Sequence, residues 1–262
     1  RFESTALVLV KQFIGRKSRA VLSFRRDAGH TVPVAGKREQ SRERVDAEIM
    51  AAARAQLADV GAASLSLRSI AREVGMVSSA VYRYVESRDD LLTRLIVDAY
   101  DSLGLTAERA AAAHRGSGDL ERWVATAASI RGWALEHPHE YLLLYGSPVP
   151  GYAAPTDTVV PGTRVTLALV GIVRDASSAG RLAGDADAVP IDDLLAGDLD
   201  RLAKQVDLTP APATVVEFLA AWTQLFGLVG FELTNQTRGV VDHHAELFDA
   251  TTRIGGRRIG LR

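Results

Sequence analysis

Apolar residues recur at three- and four-residue intervals along most of the chain, and nowhere alternate long enough with polar ones to make a half-buried strand. In RERVDAEIMAAARAQLADVG, Val45, Ile49, Ala52, Ala53, Leu57 and Val60 form one stripe of an amphipathic helix. Ser41 is placed to cap its start and Gly61 to end it. A second, shorter helix follows the capping residue Ser66, turns Ile70, Ala71 and Val74 inward, and is broken at Gly75. A third spans residues 78–84. Ser87 with Asp90 three positions on resembles a capping box, which opens a longer helix over 88–103 with Leu91, Leu95 and Tyr100 among its apolar positions.

Beyond the loop HRGSGD the helical period continues over 120–136, 140–146, 163–178, 191–206, 214–236 and 243–254. Pro- and Gly-rich stretches such as GSPVPGYAAPTDTVVPG separate these segments. The pattern predicts an all-α protein without internal repeats. Three units are expected: a basic, flexible extension (1–39), a three-helix unit (40–86) and a larger helical unit (87–262) whose first helix (87–103) links the two.

Composition adds exclusions. There is no cysteine among the 262 residues, which removes disulfides, thiol catalysis and thiolate metal sites and fits a reducing cytosol. No apolar run approaches the roughly 18–20 residues of a membrane span, and STALVLV is too short for one and lacks the layout of a secretory signal. The chain's net charge of −1 hides a polarity: residues 1–36 carry +5, 37–100 are neutral, and the remainder carries −6. The leading segment reads either as an upstream extension or processed end, or as a basic arm that touches DNA phosphates or a minor groove.

The stretch LSLRSIAREVGMVSSAVYRYVESRDDLL carries the chemistry. Two short helices joined at a glycine fit a helix–turn–helix, whose second helix must be polar at its N-terminal end to read base edges in the major groove. Gly75 tolerates the turn, and Val74, Val77 and Val81 are expected to pin the pair to the first helix. Ser78, Ser79 and Tyr82 are then left for DNA.

Residues 40–103 resemble the DNA-binding domain of the TetR family of bacterial transcriptional regulators. The likeness lies in the Gly-centred turn, the Tyr82-Arg83-Tyr84-Val85 close of the recognition helix and the Ser-Arg-Asp-Asp-Leu-Leu that follows. The resemblance implies that Arg68 reaches into the groove, that Ser78 and Ser79 meet bases or phosphates, and that Tyr82 contacts phosphate or a thymine methyl. It places Tyr84 near the backbone or in packing, Arg88 on phosphate at the start of the fourth helix, and Ser66 on phosphate or in capping alone. Two departures stand out. Val77 occupies a position where many members have Ser or Thr, and Val85-Glu86 replaces a frequent Phe-Pro. A glutamate beside DNA repels phosphate, so Glu86 either lowers affinity or turns away.

The same resemblance implies a C-terminal domain that dimerises through its last two helices and encloses an inducer pocket. VVEFLAAWTQLFGLVGFEL is apolar nearly all round, as expected of a helix that is either central core or buried by a partner, the second being the reading the resemblance favours, and Gly227 and Gly230 would allow close approach. WALEHPHEYLLLYGSPVPGY resembles a subgroup carrying a Trp, a His-Pro and a Gly-Ser-Pro-x-Pro-Gly-Tyr loop. Trp123, Trp133, Tyr141, Tyr145, Trp222 and Phe226, with Phe231, are candidates to line a pocket for a small apolar or amphipathic ligand, or else plain core.

His137 and His139 flank a proline and His243 and His244 are adjacent, spacings that suit no metal site; no cofactor motif is present either. The expected function is a cytoplasmic, ligand-responsive transcriptional repressor. It would bind a palindromic operator on double-stranded DNA as a homodimer and be released by a small molecule, with no membrane partner. A ligand-independent architectural DNA binder is one alternative; an enzyme in the C-terminal domain is another, with no Ser/His/Asp spacing, phosphate loop or metal motif behind it.

Overall fold

The computed structural model describes residues 36–183, 190–208 and 211–262; the expected N-terminal extension, up to residue 35, lies outside them. Among the described residues there are ten α-helices and no strand. They are α1 (Lys37–Val60), α2 (Leu67–Glu73), α3 (Ser78–Val81), α4 (Arg88–Ala113), α5 (Asp119–Glu136), α6 (Pro138–Tyr145), α7 (Val159–Ser178), α8 (Asp193–Gln205), α9 (Pro212–Leu233) and α10 (His244–Ile259). The all-α reading therefore holds, with a three-helix unit followed by a helical body.

Most of the predicted stripe of α1 is buried: Ile49, Ala52, Ala53 and Leu57 are in the core together with Met50, which the stripe did not include, while Val45 is half-buried and Val60, at the helix end, is 47% exposed. Ser41 does not cap it. The helix begins five residues earlier, with Gly36 at the cap position, and so takes in the end of the expected extension. Gly61 ends it at φ 75°, its N–H donating to Leu57 O at 3.1 Å. After α2 the backbone closes a Schellman motif: Met76 N–H donates to Ala71 O (2.8 Å) and Gly75 N–H to Arg72 O (3.2 Å), with Gly75 at φ 68°. This left-handed position is why a glycine stands in the turn. The α-helical part of α3 is a single turn, and the chain continues as turns through Tyr84.

At α4 Ser87 caps the helix as expected, but the return bond from Asp90 goes one residue further back than in a capping box. Ser87 Oγ accepts from Asp90 N–H (3.1 Å), while Asp90 Oδ2 accepts from Glu86 N–H (2.9 Å). From there α4 runs 26 residues, about 39 Å at 1.5 Å per residue, ten residues further than the pattern suggested. It is the spine of the molecule, packing on α1 at one end and on α5, α6 and α7 along its length. Buried Arg122 donates to Ala111 O (2.7 Å) and to Asp175 (2.8 Å), joining α5 to α4 and α7. Arg164 on α7 forks onto Asp101 and Glu108 of α4, and Arg131 on α5 onto Glu232 of α9.

By length and composition, two helical stretches, Thr156–Ser178 and Pro212–Leu233, are apolar enough to cross a membrane. This corrects the expectation that no apolar run is long enough, although Arg164 interrupts the first stretch and Glu217 the second. Both stretches pack within the bundle, the first along α4 and the second against α10. The last helix also runs five residues beyond its expected end. Its Gly255 and Gly256 are the close-approach glycines: a Cβ on Gly255 would stand 3.0 Å from Ala221 Cβ, and one on Gly256 2.7 Å from Leu120 Cδ1. At Gly227 and Gly230, expected to serve that purpose, a Cβ would meet nothing within 4 Å of the same chain.

Candidate nucleic-acid interface and aromatic cluster

In the three-helix unit Ala80, Val81 and Val85 turn into the core and so set α3's other face outward. Ser78 and Ser79 are exposed there, and Tyr82 is 50% exposed. Arg68 stands exposed on the first turn of α2, with no ion-pair partner among the described residues. Ser66 is exposed at the cap position of α2, but its hydroxyl makes no capping bond. Instead its N–H donates to Gln56 Oε1 at 2.6 Å, which fixes the start of α2 against α1.

Val77 departs from expectation. It does not pin the helix pair: its side chain is 71% exposed at the cap position of α3, because the turn after Gly75 points it away from the core. Tyr84 is half-buried, and its carbonyl accepts from Arg94 Nη1 (3.1 Å). The same guanidinium reaches Asp46 on α1 at 2.5 Å, so Arg94 ties α1 to the end of the recognition segment. Arg88 Nη2 donates to Ala62 O (2.9 Å) and Ala63 O (3.1 Å), holding the turn before α2 against the start of α4. Glu86 is exposed, as is Arg83. Arg83 was missed by sequence reasoning; the signal was there, a cation between the two tyrosines that close the recognition segment.

In the larger unit the structure gathers Tyr141 and Tyr145 on α6 with Trp222 and Phe226 on α9. Tyr145 lies 4.5 Å from Phe226 and 5.0 Å from Tyr141, centroid to centroid, and Trp222 lies 5.5 Å from Phe226. Tyr100 on α4 joins them edge-on to Tyr145 at 6.2 Å. It had been read as an apolar position of its helix, because the periodicity does not say which neighbour a buried ring meets. Burial pushes the phenols of Tyr100, Tyr141 and Tyr145 well up, and all stay neutral. Tyr141 donates to Phe226 O (2.8 Å). Tyr100 Oη and Trp222 Nε1 are buried without a hydrogen-bond partner.

Trp123 and Trp133 stand outside these ring contacts. Trp123 packs edge-on to Phe218 and donates to Thr252 O (3.2 Å). It borders a cavity of about 10 Å³, room for roughly one water. Trp133 donates to Ser102 Oγ (2.9 Å) and lies against His137. Phe231 is 56% exposed on the outer side of α9, apart from these ring contacts. Among the described residues no group of three or more His, Asp or Glu is placed to hold a metal ion.

Two protein-family models match this chain. Residues 49–95 match that of bacterial regulatory proteins, tetR family, and residues 123–254 that of the tetracyclin repressor-like C-terminal domain. The HTH-type transcriptional regulator Rv1816 of Mycobacterium tuberculosis is 42% identical over 229 residues, covering 84% of this chain and 94% of its own. Its counterpart Mb1846 of Mycobacterium bovis matches equally. Among solved structures, that of SCO4313 is 37% identical with a TM-score of 0.65, covering 84% of this chain and 98% of its own.

Proposed function

The chain belongs to the tetR family of bacterial regulatory proteins and is a DNA-binding transcriptional regulator, and from that premise we propose that it is a ligand-released repressor. Two copies bind a palindromic operator in the cytoplasm, each laying α3 in a major groove. Arg68, Ser78, Ser79 and Tyr82 face the bases and nearby phosphates, with Ser66, Tyr84 and Arg88 at the flanking backbone. Arg83, exposed beside Tyr82, joins them as a phosphate contact. The domain division expected above, with α4 linking a reading head to a sensing and dimerising body, is part of this proposal. The reading calls on no catalysis and no membrane.

One observation carries the ligand half. The aromatic cluster contains Tyr100, which sits on the helix whose first turns anchor the DNA-binding unit. It also holds two buried donors, Tyr100 Oη and Trp222 Nε1, that lack a partner. An unpaired buried donor costs about 1–3 kcal/mol, which an acceptor on an entering ligand would recover. A ligand seated there would move α4, and could shift the DNA-binding equilibrium by no more than its differential affinity for the two forms.

The test begins with duplexes selected from a random pool by the purified protein. A panel of small apolar and amphipathic compounds is then screened for release of the selected duplex, with the Trp222→Phe protein alongside. Release by one compound class, weakened by Trp222→Phe, supports the proposal. An enriched palindrome that no compound releases favours a ligand-independent architectural binder.

A further inference from the structure

Folding does not account for the residue that precedes α3. Val77 is the cap residue of that helix, with extended backbone at φ −69° and ψ 140°, and it makes no capping hydrogen bond. Ser, Thr, Asp and Asn are favoured at this position because their side chains satisfy a free N–H, and an aliphatic side chain forgoes that. The same side chain is also 71% exposed, so it gains little from the core that Ala80, Val81 and Val85 form behind it. A serine would be better on both counts.

Single exposed apolar residues are ordinary on a protein surface. This one differs by its place, at the N-terminal end of the helix that reads DNA, beside exposed Ser78, Ser79 and Tyr82. The first residues of a recognition helix are the ones that meet base edges. A branched aliphatic group can neither donate nor accept a hydrogen bond. One feature of the major-groove edge suits it, the C5-methyl group of a pyrimidine, which thymine carries and methylated cytosine shares.

We propose that Val77 is a specificity-determining residue that reads the C5-methyl of one thymine in each half-site by apolar contact. The proposal rests on the base-reading role of α3 given above. Val77 thereby replaces a backbone-positioning contact of the kind a serine would make with one that carries sequence information.

The experiment starts from a duplex enriched from an unmethylated random pool. Each thymine of the half-site is replaced in turn by deoxyuridine, which lacks only the methyl. Affinities are measured for the wild type and for Val77→Ser and Val77→Ala. The expected result is one thymine per half-site whose replacement costs the wild type about fourfold, the worth of one buried methyl group. Val77→Ser binds the thymine and deoxyuridine forms equally and Val77→Ala shows a smaller difference than the wild type, its shorter methyl reaching less of the thymine, and Val77→Ser melts no lower than the wild type because it restores the cap. A deoxyuridine penalty of the same size in wild type and Val77→Ser at every position overturns the role of Val77. A half-site indifferent to deoxyuridine but bound more tightly after C5-methylation of a cytosine overturns the thymine assignment. Failure to enrich any duplex removes the base-reading role of α3, and the proposal with it.

Discussion

The phenolic oxygen of Tyr152 lies 2.9 Å from the hydroxyl oxygen of Thr93, and so ties the Pro- and Gly-rich loop after α6 to the second turn of α4. Thr93 donates its own proton to Asp89 O (2.9 Å), so Tyr152 is the donor in this pair. Burial raises the Tyr152 phenol, with the help of the nearby Asp89 charge. The loop begins one residue after Tyr145, a member of the aromatic cluster, and Arg94, next to Thr93, holds Asp46 and the Tyr84 carbonyl. A path of direct contacts thus leads from the cluster to the recognition segment.

Tyr152→Phe removes this bond with almost no change of shape. The expected cost is about 0.5–1.5 kcal/mol of stability, with faster amide exchange over residues 146–155 and little change elsewhere. Amide exchange followed by mass spectrometry measures both. Unaltered exchange in the loop would mean that packing, not the hydrogen bond, holds it to α4.

Arg88 has a structural partner as well as a proposed phosphate. Arg88→Ala gives up two charge-assisted bonds to Ala62 O and Ala63 O, so a lower melting temperature is expected whether or not DNA is touched. The phosphate role adds a separate signature: weaker binding to every duplex, and a salt dependence flattened by about one unit. A lowered melting temperature with an unchanged slope would leave Arg88 with the structural task alone.

Arg68 offers the opposite signature. It is exposed at the start of α2 with no ion pair to lose, so Arg68→Ala is expected to leave stability within about 0.5 kcal/mol. If it reads a guanine, it should cost about 1–3 kcal/mol at one base pair of the half-site and little at others. Binding assays across single-base variants of the operator decide this. An equal loss on every variant would move Arg68 to the backbone.

The helix–turn–helix was legible because its signals are local. Gly75 must take positive φ, Ser87 caps α4 at the Asp90 N–H, and the buried stripe of α1 repeats at helical spacing. Val77 was misjudged because an apolar residue beside a turn looks the same in sequence whether it faces core or water. In the larger unit the sequence named Tyr141, Tyr145, Trp222 and Phe226 but not Tyr100, and added Trp123 and Trp133. Which rings meet is decided by how α4, α6 and α9 cross, and periodicity gives only a helix's own faces. Gly255 and Gly256 went unnamed for the same reason, since close approach depends on the facing helix.

Those glycines give the last prediction. Gly256→Ala would press a methyl into Leu120 Cδ1 at 2.7 Å and Trp123 Cδ1 at 3.0 Å, an overpacking expected to cost about 1–3 kcal/mol within the protomer. Gly227→Ala meets nothing in its own chain and should be neutral or slightly stabilising, since alanine is the better helix former. Gly227 shares the outward stripe of α9 with Ala220, Thr223, Gln224 and Phe231, uncharged side chains left exposed along a helix of a DNA-binding regulator. If that stripe is the dimer face, Phe231→Glu should yield folded monomers with much weaker operator binding, because two half-sites are no longer held by one particle. Sedimentation velocity with circular dichroism separates the cases. A Phe231→Glu protein that remains a dimer of full operator affinity would place the two-fold contact elsewhere on the body.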